Sequence, residues 1–395
     1  MRAWVEGSIG MTTYPWYQQL AMGREVQRSL QVCPWCHDDR MKIRRGSICA
    51  VLLLIACAGG ETPALRQPVP LSSPAAPVKP SEPPPVSVST ASFDSTDAAP
   101  EPVDPFANTA FPPPNFDPPH ERSAREGDGR WVRMGDERKN ESAAKEPAVL
   151  YRTTVHPHPV SKFISVTIAA MDLKHTSLHL VAGTDDPGAD KAPRTRGLVP
   201  LEHQSDLVLV HNGGFKPQHG NWGMMAEGEW VVPTRDEGCT VLITNDDRVV
   251  MGTWSSLSAH APQARSIRQT PPCLVEANAI HPKLLAGDAR AWGGTAKDIK
   301  TRRRTAIGID ASGRVLLFGM GEEADPKLLG EAMKVAGAQH AAQLDINYNW
   351  TRFLLFGTPD GVLQVTSTLI PKMVHRKRGY VALSEDRDFF YLKRR

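Results

Sequence analysis

The stretch Arg302-Arg303-Arg304-Thr305-Ala306-Ile307-Gly308-Ile309-Asp310, followed by Arg314-Val315-Leu316-Leu317-Phe318, decides how this chain is read. Its apolar and β-branched residues predict two strands, with Ser312-Gly313 as the hairpin turn between them. A helical pattern runs from Pro326 to Val335: Asp325 is the N-cap, Pro326 occupies the first turn, and Leu328, Leu329, Ala332, Met333 and Ala336 share one apolar face. Gly337 stops that helix. Gln343-Leu344-Asp345-Ile346-Asn347-Tyr348-Asn349-Trp350 then returns as a strand with a carboxylate at its end. Strand, turn, strand, helix and strand therefore place an arginine and an aspartate on one rigid sheet.

Working outward, Leu207 to Val210 is a short buried strand that delivers His211 and Asn212 to the tight turn at Gly213-Gly214. Two glycines permit positive φ and a close backbone approach, and their amides can face an anion; the same three residues also suit a plain hairpin turn. Further strands are expected at Val149–Val155, Ile164–Ile168, Ser177–Ala182, Glu229–Val232, Thr240–Thr244 and Arg248–Met251. Toward the C-terminus, strands are expected at Phe353–Phe356, Val362–Leu369, Tyr380–Leu383 and Phe389–Leu392. Residues 278–301 read as irregular, and Trp222, in the glycine-rich loop Gly220–Met225, is either a sugar-stacking platform or a loop anchor.

Composition divides the 395 residues unevenly. The segment Glu61–His120 holds half of the chain's 34 prolines and little apolar periodicity, so it cannot bury enough surface to offset its ordering entropy. The charged run Glu121–Lys145 continues it. The expected organisation is a disordered Pro-rich and charged linker at 58–147 and one strand-rich domain at 148–395. A formal charge of +3 is too small to imply a nucleic-acid partner. No cofactor motif is evident, and His156, His158, His175 and His179 have no metal-ligand spacing.

Near the start, Cys33-Pro34-Trp35-Cys36 has neither the βαβ context of a redox motif nor the second pair of a zinc site. Lys42, Arg44 and Arg45 form a basic region before the apolar run Ser47–Ala56, which is too short to span a bilayer and fits a signal-peptide core. It ends in Leu54-Ile55-Ala56-Cys57, which resembles a bacterial lipobox. That resemblance implies cleavage before Cys57, acylation of its thiol, and a membrane anchor facing the periplasm or exterior, with an ordinary secretory peptide as the rival reading. Residues 41–57 are then the leader, Met41 the true start, and 1–40 an upstream extension. Cys239 and Cys273 are the two cysteines of the domain and, in an exported protein, candidates for a disulfide.

The sequence Arg304-Thr305-Ala306-Ile307-Gly308 followed by Leu344-Asp345 resembles the C-terminal half of the phosphodiester glycosidases, the N-acetylglucosamine-1-phosphodiester α-N-acetylglucosaminidase or uncovering-enzyme-like family. Leu209-Val210-His211-Asn212-Gly213-Gly214-Phe215 resembles the family's apolar strand ending in Asn-Gly-Gly-Phe, a turn that lies in its active-site cleft. Cys273-Leu274-Val275-Glu276 resembles the strand before a glycine-containing loop. The resemblance implies an α+β, strand-rich fold with few helices and hydrolysis of a sugar-1-phosphodiester. Such chemistry needs a cation for the phosphodiester, a carboxyl group at the glycosidic oxygen and donors for sugar hydroxyls.

On that basis Arg304 is the phosphate ligand, Asp345 the acid or base, and Asn212 with the Gly213 and Gly214 amides the substrate-orienting group. The rival readings are a surface salt bridge for Arg304 and a strand-end cap for Asp345. A second carboxylate is expected from Glu276 or Glu227. The chain departs from the family where a Gly-Gly-Gly-Ser turn should follow the aspartate: Ile346 and Tyr348 carry Cβ atoms that disfavour the amide cradle such a turn makes. Asn347, Asn349 and Trp350 are instead candidates for a sugar-binding surface. Three functions follow as expectations: an envelope hydrolase, a carbohydrate-binding module that has lost catalysis, or a structural lipoprotein.

Overall fold

In a computed structural model the described residues are 106, 109–135, 147–185, 197–293 and 302–395. Cys33, Cys36, Met41 and Cys57 lie outside them. Three antiparallel sheets make the domain. The largest has eight strands, in the spatial order Val132–Arg133, Leu150–Val155, Val166–Asp172, Val315–Ala324, Arg302–Ile309, His340–Gln343, Val275–Glu276 and Ala279–Ile280. A five-stranded sheet runs Glu229–Val232, Met224–Ala226, Ala264–Thr270, Cys239–Thr244 and Val249–Thr253. The other runs Gln364–Thr368, Phe353–Gly357, Leu207–Asn212, Phe389–Arg394 and Thr176–Val181.

Both faces of the eight-stranded sheet are covered, which is why Arg302–Ile309 reads as a nearly continuous apolar run after its arginines. Alternation sends Ile307, Phe318 and Met171 into a core shared with Leu209, Phe353 and Leu392 of the third sheet. It sends Ala306, Leu317 and Ile168 to the opposite face, against Leu329, Met333 and Trp292. The helix Pro326–Val335 lies on that second face with Asp325 as its cap, the carboxylate accepting from the Leu328 amide at 2.8 Å. Gly319 lets the helix approach: a Cβ there would come within 2.6 Å of Met333 Sδ. Cys239 and Cys273 are joined as a buried disulfide with Cα atoms 4.7 Å apart.

Two expectations are corrected and one strand is added. Residues 109–135 belong to the domain rather than to a linker: Phe111, Phe116 and Trp131 pack on the second core, and Val132–Arg133 pairs with Tyr151 and Arg152. Their aromatic residues are few but well placed, which composition does not register. Tyr380–Leu383 forms no strand, because Tyr380 turns at φ 69° and buries its phenol, which accepts a hydrogen bond from Arg352 at 3.0 Å. Finally, Ala264–Thr270 is a central strand that its polar sequence conceals, since Arg268 and Gln269 are fully buried within hydrogen-bond networks.

Candidate active site

The three sequence motifs meet through one hydroxyl. Asn212 Nδ2 donates to Thr305 Oγ1 at 2.9 Å, and Thr305 Oγ1 donates to the Asp345 carbonyl at 2.9 Å. The Asp345 amide in turn donates to the Gly213 carbonyl at 3.2 Å. Asp345 thus ends its strand against the Asn-Gly-Gly turn. It borders two spaces: an open cavity of about 880 Å³, and a much smaller one enclosed by Asn212, Gly213, Trp350, Tyr380, Arg387 and Asp388.

The Asp345 carboxyl is 6% exposed. Its Oδ1 accepts from the Asn347 amide at 2.9 Å, and its Oδ2 pairs with Arg387 at 2.6 Å. Burial raises its pKa above the usual carboxylate value, the Arg387 charge and the turn amides oppose that rise, and nearby Asp388 adds to it. A carboxyl group whose pKa burial raises, at the wall of an open cavity, is placed to exchange a proton with a ligand there.

Both glycine amides of the Asn-Gly-Gly turn are already taken by the chain's own Asp388, one by its backbone carbonyl and one by its carboxylate. Gly213 N donates to the Asp388 carbonyl at 3.0 Å and Gly214 N to its Oδ2 at 2.9 Å. The same Oδ2 accepts from Arg268 Nε at 2.8 Å. Glycine is needed here for close approach, not for positive φ: a Cβ on Gly213 would lie 2.0 Å from Asp388 Oδ2, and neither glycine has a left-handed φ. Asn212 is likewise engaged, its Oδ1 accepting from the Arg352 amide at 3.1 Å.

Arg304 does not face the cavity. It is fully buried, and its Nη1 donates to the Trp292 carbonyl at 2.8 Å and to Gln343 Oε1 at 3.0 Å. Burial pushes its pKa down to about 10. Its neighbours Arg302 and Arg303 do line the cavity, because a register shift between Arg302 and Arg304 re-aims the strand there. Arg303 pairs with Glu322, and its guanidinium lies 3.9 Å from the centre of the Tyr348 ring. Its Nε and Nη1 are buried without a partner among the described residues.

The expected second carboxylates lie elsewhere. Glu276 accepts from both the amide and the hydroxyl of Thr253 at 2.8 Å. Glu227 sits on a turn at φ 48°, paired with Arg265 at 3.0 Å. Glu322 and Glu323 line the cavity instead. Adjacent polar residues ending a strand opposite Arg302–Arg304 were the available signal, and reading it needed the hairpin register.

Asn347 lines the cavity, and its Oδ1 accepts from the Asn349 amide at 3.1 Å. Asn349 is exposed but does not border the cavity. Trp350 is half-buried, does not border the open cavity, and has the guanidinium carbons of Arg352 and Arg387 at 5.2 and 5.6 Å from its ring. Trp222 is a loop anchor: it is 8% exposed, donates to the His219 carbonyl and lies under Arg235. Among the described residues no cluster of three or more His, Cys, Asp or Glu side chains could hold a metal ion, and no helix is long and apolar enough to cross a membrane.

Residues 205–345 match the phosphodiester glycosidase family model. No curated protein matches the chain. Among solved structures, the zebrafish N-acetylglucosamine-1-phosphodiester alpha-N-acetylglucosaminidase catalytic domain, auto-inhibited by its pro-peptide, is 15% identical over 66% of this chain and 87% of its own, with a TM-score of 0.41. A protein from Synechocystis is 10% identical over 64% of this chain and 65% of its own, with a TM-score of 0.39. The matched region 205–345, which holds the Asn-Gly-Gly turn, Thr305 and Asp345, is thus similar to the phosphodiester glycosidase family.

Proposed function

We propose that the chain is an exported hydrolase that cleaves a sugar-1-phosphodiester or a related envelope glycan in the 880 Å³ cavity. The observation that carries this reading is Asp345, a carboxyl group whose burial favours its protonated form at the wall of an open, arginine-lined space. In this reading Asp345 donates a proton to the glycosidic oxygen as the bond to the leaving phosphomonoester breaks, while a water molecule adds to the anomeric carbon and gives its proton to the second carboxylate, yielding the free sugar. Arg303, rather than Arg304, contacts the anion, since Arg303 lines the cavity and Arg304 does not. Glu322 or Glu323 supplies the second carboxylate.

A second reading has its own support. With the Gly213 and Gly214 amides already bound to Asp388, the site lacks a free amide cradle, as a carbohydrate-binding module without catalysis would. One experiment separates the two. Purified full-length chain is offered a panel of chromogenic sugar-1-phosphodiesters beside an Asp345→Asn variant. Turnover abolished by the substitution supports the hydrolase; glycan binding without product supports the module.

For location, the lipobox-like Leu54-Ile55-Ala56-Cys57 supports a lipid anchor, with the proline-rich segment as a tether. Incorporation of labelled palmitate that disappears in Cys57→Ala tests this.

A further inference from the structure

The aromatic rings near Asp345 differ in what covers them. Trp350 is half-buried with two guanidinium groups near its ring and lies off the open cavity, and Trp222 is buried under a third. Tyr348 has one cation against its ring, Arg303 at 3.9 Å, yet it remains 51% exposed and lines the cavity. A ring that open, with a guanidinium against one face, still offers aromatic surface to a ligand in the cavity. Aromatic faces bind the C–H faces of sugars through apolar contact, and a side chain with two torsions, already held on one side, loses little freedom when it does so.

Position adds to the case. Tyr348 stands three residues after Asp345 in a turn that the Asn347 amide ties to the Asp345 carboxylate at 2.9 Å. A ring resting on Tyr348 would share the cavity that the Asp345 carboxyl group borders. The glycine turn of the family to which this region is similar has no side chain at that place, so the platform would be a property of this chain.

We propose that Tyr348 is a specificity-determining residue, the stacking platform for the pyranose ring of a sugar phosphate or sugar phosphodiester. The inference rests on the carbohydrate-directed reading of the cavity but not on its catalysis.

The test titrates glucose-1-phosphate, N-acetylglucosamine-1-phosphate and inorganic phosphate into the full-length chain by calorimetry, with saturation-transfer NMR on the sugars. At least one sugar phosphate is expected to bind and to receive saturation at its carbon-bound protons. Tyr348→Ala should weaken that binding about tenfold, whereas Tyr348→Phe and Tyr348→Trp retain it. Inorganic phosphate should bind Tyr348→Ala and the unaltered chain equally. Sugar-phosphate affinity unchanged in Tyr348→Ala, or no binding of either sugar phosphate, overturns the proposal. Tyr348-dependent binding without turnover of any phosphodiester would leave the platform standing and remove the hydrolase reading. Turnover with a Michaelis constant indifferent to Tyr348→Ala would do the reverse.

Discussion

Gly214 donates its amide proton to Asp388 Oδ2 at 2.9 Å, and Arg268 Nε reaches the same oxygen at 2.8 Å. The turn that ends the Leu207–Asn212 strand is therefore built around a buried carboxylate that immediately precedes the Phe389–Arg394 strand of its own sheet. Asp388 is 3% exposed and Arg268 fully buried, so each charge depends on the other. Removing one partner of such a pair costs more than the pair contributes, because the remaining charge stays out of water. Asp388→Ala is expected to lower stability by about 3–5 kcal/mol in urea unfolding. A change below 1 kcal/mol would mean the pair is solvated.

Gly213→Ala should be destabilising by about 1–3 kcal/mol, since its Cβ would lie 2.0 Å from Asp388 Oδ2. Gly313, on the exposed hairpin turn, has nothing within 4 Å of such a Cβ and suits a comparison of φ cost without steric contact. Denaturation midpoints of the two alanine variants should order with Gly213→Ala the lower.

The two arginines of the central strand should separate cleanly. Arg303→Gln is expected to raise the Michaelis constant for an anionic substrate by about tenfold or more, through loss of charge-assisted hydrogen bonds. Arg304→Gln should instead reduce stability by about 1–3 kcal/mol, because Trp292 and Gln343 lose a buried donor. Steady-state kinetics beside urea melts would reveal either assignment as reversed.

His211 sets a pH dependence. It is fully buried among Phe318, Phe353 and Phe390, and burial pushes its pKa down from 6.5 to about 4, with the hydrogen bond to the Asn212 carbonyl opposing the shift. The unfolded chain then binds more protons than the folded one between those values. Stability present above pH 6.5 is lost as pH falls toward 4, on the order of 3 kcal/mol in total. Asp345, with a raised pKa, acts in the opposite direction: its contribution is lost as pH rises from the ordinary 3.8 through its higher folded value. The acid slope of chemical stability should flatten in His211→Phe.

Reduction of the Cys239–Cys273 disulfide, which closes a sequence separation of 34, should lower stability by about 3–4 kcal/mol on loop entropy alone. Unfolding with and without a thiol reductant measures it.

The fold was legible where burial is apolar and periodic. Arg302–Ile309, Val315–Ala324, the helix Pro326–Val335 with its Asp325 cap, and Leu207–Asn212 all carry their pattern in the sequence. It was not legible where polar groups are buried in pairs: Ala264–Thr270 looks like a surface segment because Arg268 meets Asp388 only through contacts 120 residues apart. The site followed the same division. The contact between Asp345 and the Asn-Gly-Gly turn joins two motifs visible in the sequence, but a single register shift exchanged Arg303 for Arg304 as the cavity-facing cation. No spacing along the sequence encodes that exchange.

The short strand Val132–Arg133 has a consequence for how the domain can be cut. It covers the outer backbone of Leu150–Val155, with Gly129 N and Met134 N donating to the Thr154 and Leu150 carbonyls at 3.0 Å. Asp128 adds a buried pair to His156 at 2.9 Å, and Ser123 Oγ reaches the His156 carbonyl at 3.1 Å. A chain trimmed to begin at residue 148 would leave that sheet margin unpaired and strip Phe111, Phe116 and Trp131 from the core beneath. Such a margin invites edge-to-edge association between copies, so the trimmed chain should be the one that aggregates.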